Sequence, residues 1–288
     1  FYNFMNHADF GLGTWYPKGG FSAVAKGMIT LAKELGVEFL TNEAVTGFEY
    51  ENNQISTVKT EKNIYKADVV VSGADYAHTE KLLNGHKNYS EEYWMKKTFA
   101  PSSLLYYVAF DRKVKNLLHH NLFFDTDFEA HAQEIYDTKV FPRKPLFYAN
   151  FSSKTDDSLC PDGKEVGFFL IPVAVDLEDS AEIHEKYFEL IMDRIEKCTG
   201  ENVRDAVLFK RSFGVNDFKE RYNSCRGNAY GLANTLLQTS ILRPSIKNKK
   251  IKNFFYTGQL TVPGPGVPPA IISGKVVTDY ILKTQILS

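Results

Sequence analysis

FFYTGQLTVPGPGVPPAIISGK, at residues 254–275, predicts a short buried strand, then a loop rich in glycine and proline, then a helix. The strand is the aromatic run 254–256, which Gly258 ends. Proline fixes φ, whereas glycine lets a ligand approach the bare backbone. The loop therefore combines stiffness with access, and its special residues are Pro263, Gly264, Pro265, Gly266 and Pro268.

The helix that follows this loop begins with Pro268 and Pro269. Both fit a first helical turn, because N–H groups there have no partner within the helix. A strand that passes into a helix through such a loop presents unpaired N–H groups, a natural seat for an anion or a polarised ring oxygen. An ordinary turn has the same composition, so spacing alone leaves both interpretations open.

The composition is typical of a globular chain. It has 288 residues, 43% hydrophobic and 24% charged, enough for one large domain or two smaller ones. The net charge of −1 argues against nucleic-acid binding through a positive field. Three scattered cysteines, Cys160, Cys198 and Cys225, indicate a reducing compartment without a disulfide framework. No apolar run is long enough to predict a membrane-spanning helix.

The first ninety residues predict alternating helix and strand. Apolar spacing predicts a helix over 20–35, with Ser22 as a possible cap and Gly36 as its stop. Strands are expected at 37–40, 45–50 and 54–60, the last two joined by a turn at Asn52-Asn53. The continuous apolar run 67–73 suits a strand covered on both faces, and a short helix toward Leu83 follows.

The middle of the chain predicts a different sheet. Strand-like runs occupy 103–110, 146–151, 166–173 and 203–212, and helical spacing covers 181–198. We therefore expect a mixed α/β fold with an antiparallel or mixed sheet flanked by helices. The predicted domains are 1–14 as the end of an upstream substrate-domain segment, 15–90 with 245–288 as part of a Rossmann-like domain, and 91–244 as a substrate-binding domain.

Several stretches together resemble the carotenoid (phytoene) desaturase family of the FAD-dependent amine-oxidase-like superfamily. They are NAYGL at 228–232, Arg243-Pro244, PGPGVPPAIISG at 263–274, GTWYPKGGFSAVAKGMITLAKELGVEF at 13–39 and EAVTGFE at 43–49. The resemblance spans nearly the whole chain, with specific motifs at both ends and only general similarity over about 90–220. It implies an FAD enzyme.

The dinucleotide fingerprint GxGxxG is missing from this sequence. Gly11 and Gly13 start the pattern, but Tyr16 fills the third glycine position. In the family the fingerprint lies near the N-terminus, so we expect this sequence to be the C-terminal portion of a longer protein. We further expect the segment alone to lack FAD and activity.

The resemblance also implies flavin contacts. Val45 matches a strand position whose backbone meets the adenine, although ordinary sheet packing explains a valine there equally well. Gly258 and Gln259 match the pair nearest the ribityl–pyrophosphate part, where many relatives of the wider superfamily carry an acidic residue instead of Gln259. The loop residue Gly264 is expected to contact the flavin as well. The helix start that would face the isoalloxazine is Gly266, Val267 and Pro268.

By this resemblance the intact protein is an oxidoreductase acting on CH–CH bonds. It would introduce double bonds into a long polyene, passing a hydride from an allylic carbon to FAD and then releasing a proton. Alternatives are a carotenoid cis–trans isomerase, a retinoid saturase, or a flavin-free module that binds a hydrophobic ligand or partner. No catalytic residue is assigned. Six aromatic residues lie on the predicted strands of the substrate-binding domain: Tyr106, Tyr107, Phe147, Tyr148, Phe168 and Phe169. Side chains alternate along a strand, so only about half of these rings can face any one cavity.

The expected partners are an apolar polyene and an electron acceptor, either a quinone or oxygen. The run 247–252 carries four lysines, which predicts a solvated loop or contact with an acidic membrane surface. The expected location is the cytoplasm, with peripheral contact to the inner face of the membrane as an option. No metal is expected, because His184-Glu185 starts a zinc motif that Phe188 breaks.

Overall fold

The computed structural model describes residues 7–13 and 15–285. Residues 1–6 and 14 of the predicted segment 1–14 therefore lie outside the described residues. The described strands form a three-stranded, a two-stranded and a five-stranded sheet. After a π-helical turn at His7–Leu12, the first elements are α1 (Phe21–Glu34), β1 (Val45–Glu51), β2 (Gln54–Thr60), β3 (Ile64–Lys66), β4 (Val70–Ser72), α2 (Tyr76–Leu82) and α3 (Glu91–Met95).

Helix α1 confirms the predicted helix, and Gly36 follows it with φ 85°. Ser22 was the wrong cap, because Gly20 occupies the N-cap position and no side chain bonds there. The strand expected at 37–40 is also wrong: this stretch is irregular and exposed. A strand needs a hydrogen-bonded neighbour, and none of the described strands pairs with this stretch.

Strands β1 and β2 form the predicted hairpin. Asn52 and Asn53 both have positive φ, 51° and 62°, which is the geometry of a two-residue type I′ turn. Strand β4 is shorter than predicted and pairs in parallel with a C-terminal strand. Its Val71 is 45% exposed, so the described residues do not cover both faces of this strand.

The middle of the chain builds the five-stranded sheet, in the order β6-β7-β8-β5-β9. All its pairs are antiparallel, which confirms the predicted sheet type. The sequence missed strand β6 and helices α4 and α6. The elements are β5 (Ser102–Phe110), β6 (His120–Phe123), α4 (Phe128–Tyr136), β7 (Phe147–Asn150), β8 (Glu165–Val173), α5 (Ala181–Thr199), β9 (Val207–Phe213) and α6 (Val215–Tyr222).

The chain ends with the predicted strand β10 (Phe254–Tyr256), which pairs with β4, and helix α7 (Val267–Gln285). Short 3₁₀ turns connect the larger elements, at Asn84–His86, Ser152–Lys154, Asp157–Leu159, Arg204–Ala206, Cys225–Gly227, Leu236–Gln238 and Ser240–Leu242. Within residues 7–13 and 15–285, no helix has both the length and the apolar composition that crossing a membrane requires.

Two hydrophobic cores hold these elements. In the first, α5 packs its buried face, including Ile191 and Ile195, against one side of the five-stranded sheet. In the second, residues around β10 pack with α2 and α3, and the rings of Tyr76 and Tyr256 stack at 3.8 Å. The second core also takes Trp94, Phe99, Val175 and Leu232 from the predicted substrate-binding domain 91–244, so the division into domains stays a prediction.

Candidate functional site

The carboxyl ends of the parallel strands β4 and β10 open into a cavity of about 410 Å³. Ligands of open α/β sheets bind in the crevice at this end of parallel strands. The loops after both strands line the cavity, and α6 and the segment around Asn228 close its sides. Its main lining residues are Gly73, Asp75, Phe218, Tyr222, Asn228, Gly258 and Gln259.

Gln259 is held by an amide on the opposite wall. Its Nε2 donates to Oδ1 of Asn228 at 3.2 Å, and the same oxygen accepts the backbone N–H of Gly231 at 2.7 Å. Asn228 is 1% exposed and donates its own Nδ2 to the Cys225 carbonyl. A carboxylate at position 259 has no proton to donate to Asn228, which gives a physical reason for glutamine here.

Asp75 supplies the negative charge of the cavity. Its carboxylate caps α2 by accepting the N–H of His78, and it also accepts the N–H of Cys225, both at 3.1 Å. Burial raises the pKa of Asp75, and the bonds from these N–H groups oppose the shift. The amide oxygen of Gln259, for which no hydrogen bond is found among the described residues, is a second acceptor on the cavity wall. This set suits the hydroxyls of a ribityl chain better than a phosphate.

Arg243 braces the glycine- and proline-rich loop from behind the cavity. Its guanidinium donates to the carbonyls of Gln259 and Leu232 at 3.2 and 3.3 Å, and to Oδ1 of Asn234 at 2.6 Å. Gly264 lies flat against it: a Cβ there would come within 3.0 Å of Nη2. Arg243 is 5% exposed, none of the described carboxylates pairs with it, and burial lowers its pKa.

The start of α7 offers fewer donors than the sequence suggested. Pro268 and Pro269 lack N–H groups, and Ala270 already bonds the Gly266 carbonyl at 2.9 Å. Val267 keeps an N–H in this turn and is 49% exposed. The helix dipole and this single group remain as the means of attracting negative charge.

The predicted flavin residues thus fall into separate places. Gly258 and Gln259 line the cavity, whereas Gly264 lies against Arg243 and the Gly266–Pro268 turn is exposed. Val45 begins β1 in the three-stranded sheet and does not line the cavity. The flavin contacts of all these residues stay a prediction.

The five-stranded sheet resolves which aromatic rings face which side. The core beneath α5 takes Tyr106, Phe147 and Phe169, all at most 2% exposed. The neighbouring residues Tyr107, Tyr148 and Phe168 alternate to the other face, which helix α5 does not cover. We call this second side the open face.

A row of rings crosses the open face. The centroids of Tyr107 and Phe168 lie 5.2 Å apart, those of Phe168 and Tyr148 6.4 Å, and those of Tyr148 and His120 5.9 Å. His119 continues it at 4.2 Å from His120. We call Tyr107, Phe168, Tyr148, His120 and His119 the ring row.

The ring row begins beside the cavity. Burial, and after it the nearby Tyr222, raises the pKa of Tyr107, and Tyr222 lines the cavity. Phe213 at the end of β9 also joins the two regions, since its ring lies 4.9 Å from Phe218 and 6.1 Å from Tyr222. The open face therefore adjoins the wall of the cavity at Tyr222 and Phe218.

Sequence reasoning missed Gly73, Asp75 and Asn228 as cavity residues. The sequence did contain a signal for Gly73 and Asp75. GAD at 73–75 directly follows the apolar run of β4, and the loops that follow parallel strands lie close together. Asn228 stood inside the quoted NAYGL motif without an assigned role. Only the fold brings it opposite Gln259.

Comparisons with known proteins identify the relatives of this chain. A family model described as flavin containing amine oxidoreductase matches residues 1–282. A carotenoid 3,4-desaturase from Haloarcula japonica is 39% identical over 98% of this chain and 57% of its own length. A zeta-carotene-forming phytoene desaturase from Myxococcus xanthus is 30% identical over 98% of this chain and 55% of its own length.

An oxidoreductase from Methanosarcina mazei is similar in crystal structure, with a TM-score of 0.64 at 18% identity. The likeness covers 96% of this chain and 58% of that one, and it confirms the predicted mixed α/β class. This chain thus spans a little more than half the length of each of these proteins. Because the family model matches almost the whole chain, the chain belongs to the flavin containing amine oxidoreductase family, and its desaturase relatives confirm the resemblance read from its sequence.

Proposed function

We propose that this chain is the larger part of an FAD-dependent carotenoid desaturase, an oxidoreductase that introduces double bonds into a long polyene. The observation that carries the proposal is the ring row, which leads across an open apolar face to the cavity at the ends of β4 and β10. Aromatic faces suit a long conjugated chain, and the cavity suits part of a flavin. The names of the two relatives above support the same chemistry.

In this proposal Gly258 and Gln259 hold the ribityl chain, with the bare backbone allowing close approach and the amide oxygen accepting a hydroxyl. Bound FAD supplies a hydride acceptor for an allylic carbon of the polyene. Arg243 fixes the loop from behind, and Val267 with the α7 dipole favours negative charge near the helix start. Val45, Gly264, Gly266 and Pro268 remain proposed contacts carried by the family resemblance.

The open face orients the polyene and keeps water away from it. Tyr107 and Phe168 contact the chain nearest the cavity, while Tyr222 and Phe218 stand between the face and the cavity. Their faces also favour the positive charge that develops on an allylic carbon as hydride leaves. None of these rings carries a group suited to taking the following proton, so no base is assigned.

Desaturation is favoured over the other candidates. The relatives reported above are named desaturases, which supports neither a cis–trans isomerase nor a retinoid saturase. A flavin-free binding module fits poorly with membership of a flavin containing family.

The direct test is an anaerobic reaction of the full-length, FAD-loaded protein with phytoene. We expect the oxidised-flavin absorbance to bleach while a longer-wavelength polyene band grows in equal molar amount. The variant Phe168→Ala removes a ring from the ring row. It should therefore slow the flavin bleaching and the growth of the polyene band by the same factor. A polyene band that shifts without flavin bleaching would favour isomerisation, and an unchanged polyene would refute the proposal.

The 288-residue chain alone is expected to purify without flavin, since it lacks the GxGxxG fingerprint that supplies most of the pyrophosphate and ribose contacts. An absorbance spectrum of the purified chain checks this. A stoichiometric flavin band would contradict it.

A lysine-rich loop suggests where the protein meets a membrane. Lys249, Lys250 and Lys252 are exposed, although Lys250 also donates to the Gly85 carbonyl at 3.0 Å. We propose that this loop contacts acidic lipid, while a quinone or oxygen serves as the electron acceptor. Flotation with vesicles should then require acidic lipid and weaken with salt. Flotation that is equal with neutral and acidic vesicles would contradict this contact and indicate that the loop is only solvated.

A further inference from the structure

A chain of hydrogen bonds joins α5, β9 and the start of α6. Nε2 of His184 on α5 lies 2.9 Å from Oδ2 of Asp179, and its Nδ1 lies 2.7 Å from the Ser212 hydroxyl on β9. Oδ1 of Asp179 accepts the N–H of Asn216 on α6 at 3.1 Å. The side chains of Asp179 and His184 are only 3% and 16% exposed. We call Asp179, His184 and Ser212 the helix anchor.

The helix anchor has defined donors and acceptors. Burial alone would raise the pKa of Asp179, but the hydrogen bonds from His184 and from the Asn216 N–H outweigh it and lower the pKa. Asp179 is therefore a carboxylate at neutral pH and can only accept, so Nε2 of His184 carries a proton. In the neutral imidazole Nδ1 then accepts the Ser212 hydroxyl. A shift of α6 would leave a buried carboxylate oxygen without its donor.

Gly214 shows how closely α6 is held to the helix anchor. This residue is the N-cap of α6, and a Cβ there would lie 1.7 Å from Oδ2 of Asp179 and 2.7 Å from Nε2 of His184. A methyl group does not fit at such distances, so only glycine lets the helix begin directly against the carboxylate. The start of α6 is therefore positioned by Asp179 itself.

Helix α6 carries part of the cavity wall. Phe218 and Tyr222 lie one helical turn apart on it, and both line the cavity where the open face adjoins it. The N–H of Phe218 donates to the Gly214 carbonyl at 3.1 Å, so this ring is one hydrogen bond away from the N-cap. Because α6 has only eight residues, a displacement of its start is carried to both rings.

An exposed ion pair links the same two segments and provides a comparison. Lys219 on α6 donates to Glu178, the neighbour of Asp179, at 2.8 Å. The side chain of Glu178 is 79% exposed, and ion pairs in water contribute little. Positions 178 and 179 therefore hold two carboxylates that are both bonded to α6, of which only Asp179 is buried.

We propose that Asp179 is a positioning residue, which holds the start of α6 and thereby places Phe218 and Tyr222 between the polyene and the cavity. This rests on the proposed function, because it takes the reacting part of the polyene to lie beside these two rings. A small misplacement of reacting groups lowers a rate strongly. The loss of Asp179, a residue outside the cavity lining, should therefore change the rate of hydride transfer more than the binding of the polyene.

The test follows the position of Tyr222 in the full-length protein labelled with fluorotyrosine. The fluorine resonance of Tyr222 is assigned as the one that Tyr222→Phe removes. We expect Asp179→Ala to move this resonance in the folded protein, and Glu178→Ala, the matched control, to leave it in place. A loss of stability alone would not move it. Asp179→Asn should restore it, because its oxygen still accepts the Asn216 N–H and its amide donates to His184 once the imidazole proton moves to Nδ1.

Ser212→Ala provides a second variant if Asp179→Ala does not fold. It removes one hydroxyl of the helix anchor, and we expect a smaller displacement of the same resonance. In the FAD-loaded protein, Asp179→Ala should slow anaerobic flavin bleaching by saturating phytoene about tenfold, while the Kd of phytoene stays within about twofold.

The inference would be overturned by a wild-type Tyr222 resonance in folded Asp179→Ala, by an equal displacement in Glu178→Ala, or by an unchanged bleaching rate. Failure of the proposed function is seen separately. In that case the wild type does not desaturate phytoene, although Asp179→Ala still displaces the Tyr222 resonance.

Discussion

Helices α1 and α5 have similar amphipathic sequences but opposite surroundings. On α5 the apolar side is buried against the five-stranded sheet, with Ile191 fully inaccessible. On α1 no residue is buried, and Leu31 in its apolar stripe is 58% exposed. The stripe of α1 continues into exposed apolar side chains at Val37 and Phe39.

The difference teaches that an amphipathic pattern predicts a helix but not the surface that covers it. The sheet unit covers its own apolar side, whereas α1 and the exposed side of β4 are left open by the described residues. Contiguous exposed apolar surface of this kind marks an interaction site. Since related proteins are nearly twice as long, we expect further protein, in cis or in trans, to pack on α1.

The largest expected effect comes from truncating matched side chains on the two helices. Ile191→Ala opens a cavity in the sheet core and should lower the free energy of unfolding by about 3 kcal/mol. Leu31→Ala should change it by less than about 0.5 kcal/mol in this chain, because the side chain is exposed. Urea denaturation of both variants measures the contrast. Similar losses at the two sites would mean that α1 is already packed.

The next effect concerns whether the chain itself holds the cavity loop. Arg243→Met removes three hydrogen bonds to the loop and its surroundings, which should cost about 2 kcal/mol. Hydrogen exchange should speed up over 258–266 and stay unchanged in α5. Arg243→Lys is the matched control, since it keeps the charge but loses the forked geometry. Unchanged exchange in the methionine variant would show that the loop does not depend on Arg243.

A smaller effect tests the sheet unit through pH. Buried His131 accepts the Leu146 N–H at Nδ1, so its Nε2–H donates to the Pro172 carbonyl. Burial lowers the pKa of His131. Its contribution to stability is therefore present above pH 6.5 and is lost as pH falls through the folded-state pKa. His131→Gln does not titrate, so its unfolding free energy should decline less than that of the wild type from pH 7 to 5. An equal decline of the unfolding free energy in the wild type and in His131→Gln would contradict this role of His131.

The smallest expected effect lies in the cavity. Gln259→Glu replaces the donor to Asn228 with a carboxylate beside Asp75, which should weaken FAD binding to the full-length protein about fivefold. Flavin fluorescence measures the Kd. Gln133→Glu, on α4 and away from the cavity lining, is a control of equal charge change. Equal Kd values for Gln259→Glu and the wild type would remove Gln259 from the site.

The sequence predicted the strand–loop–helix at the C-terminus, the hairpin turn and both long helices, because each depends on local signals. The 37–40 strand failed because pairing is decided by neighbours, which a local pattern does not contain. Strand β6 was missed since its four residues, two of them polar, give no alternation long enough to detect. In the site, Gly258 and Gln259 were found through a motif. Asn228 and Asp75 join them only after strands β4 and β10 pair.

The measurement closest to the central claim is a residue-level map of where a polyene binds. The full-length protein, loaded with FAD, would be irradiated with a diazirine-bearing polyene and its adducts located by mass spectrometry. We predict adducts on Tyr107, Phe168 and Tyr148, with none on Tyr106 or Phe169 beneath α5. Adducts confined to the exposed side of α1, or none on the open face, would contradict the account.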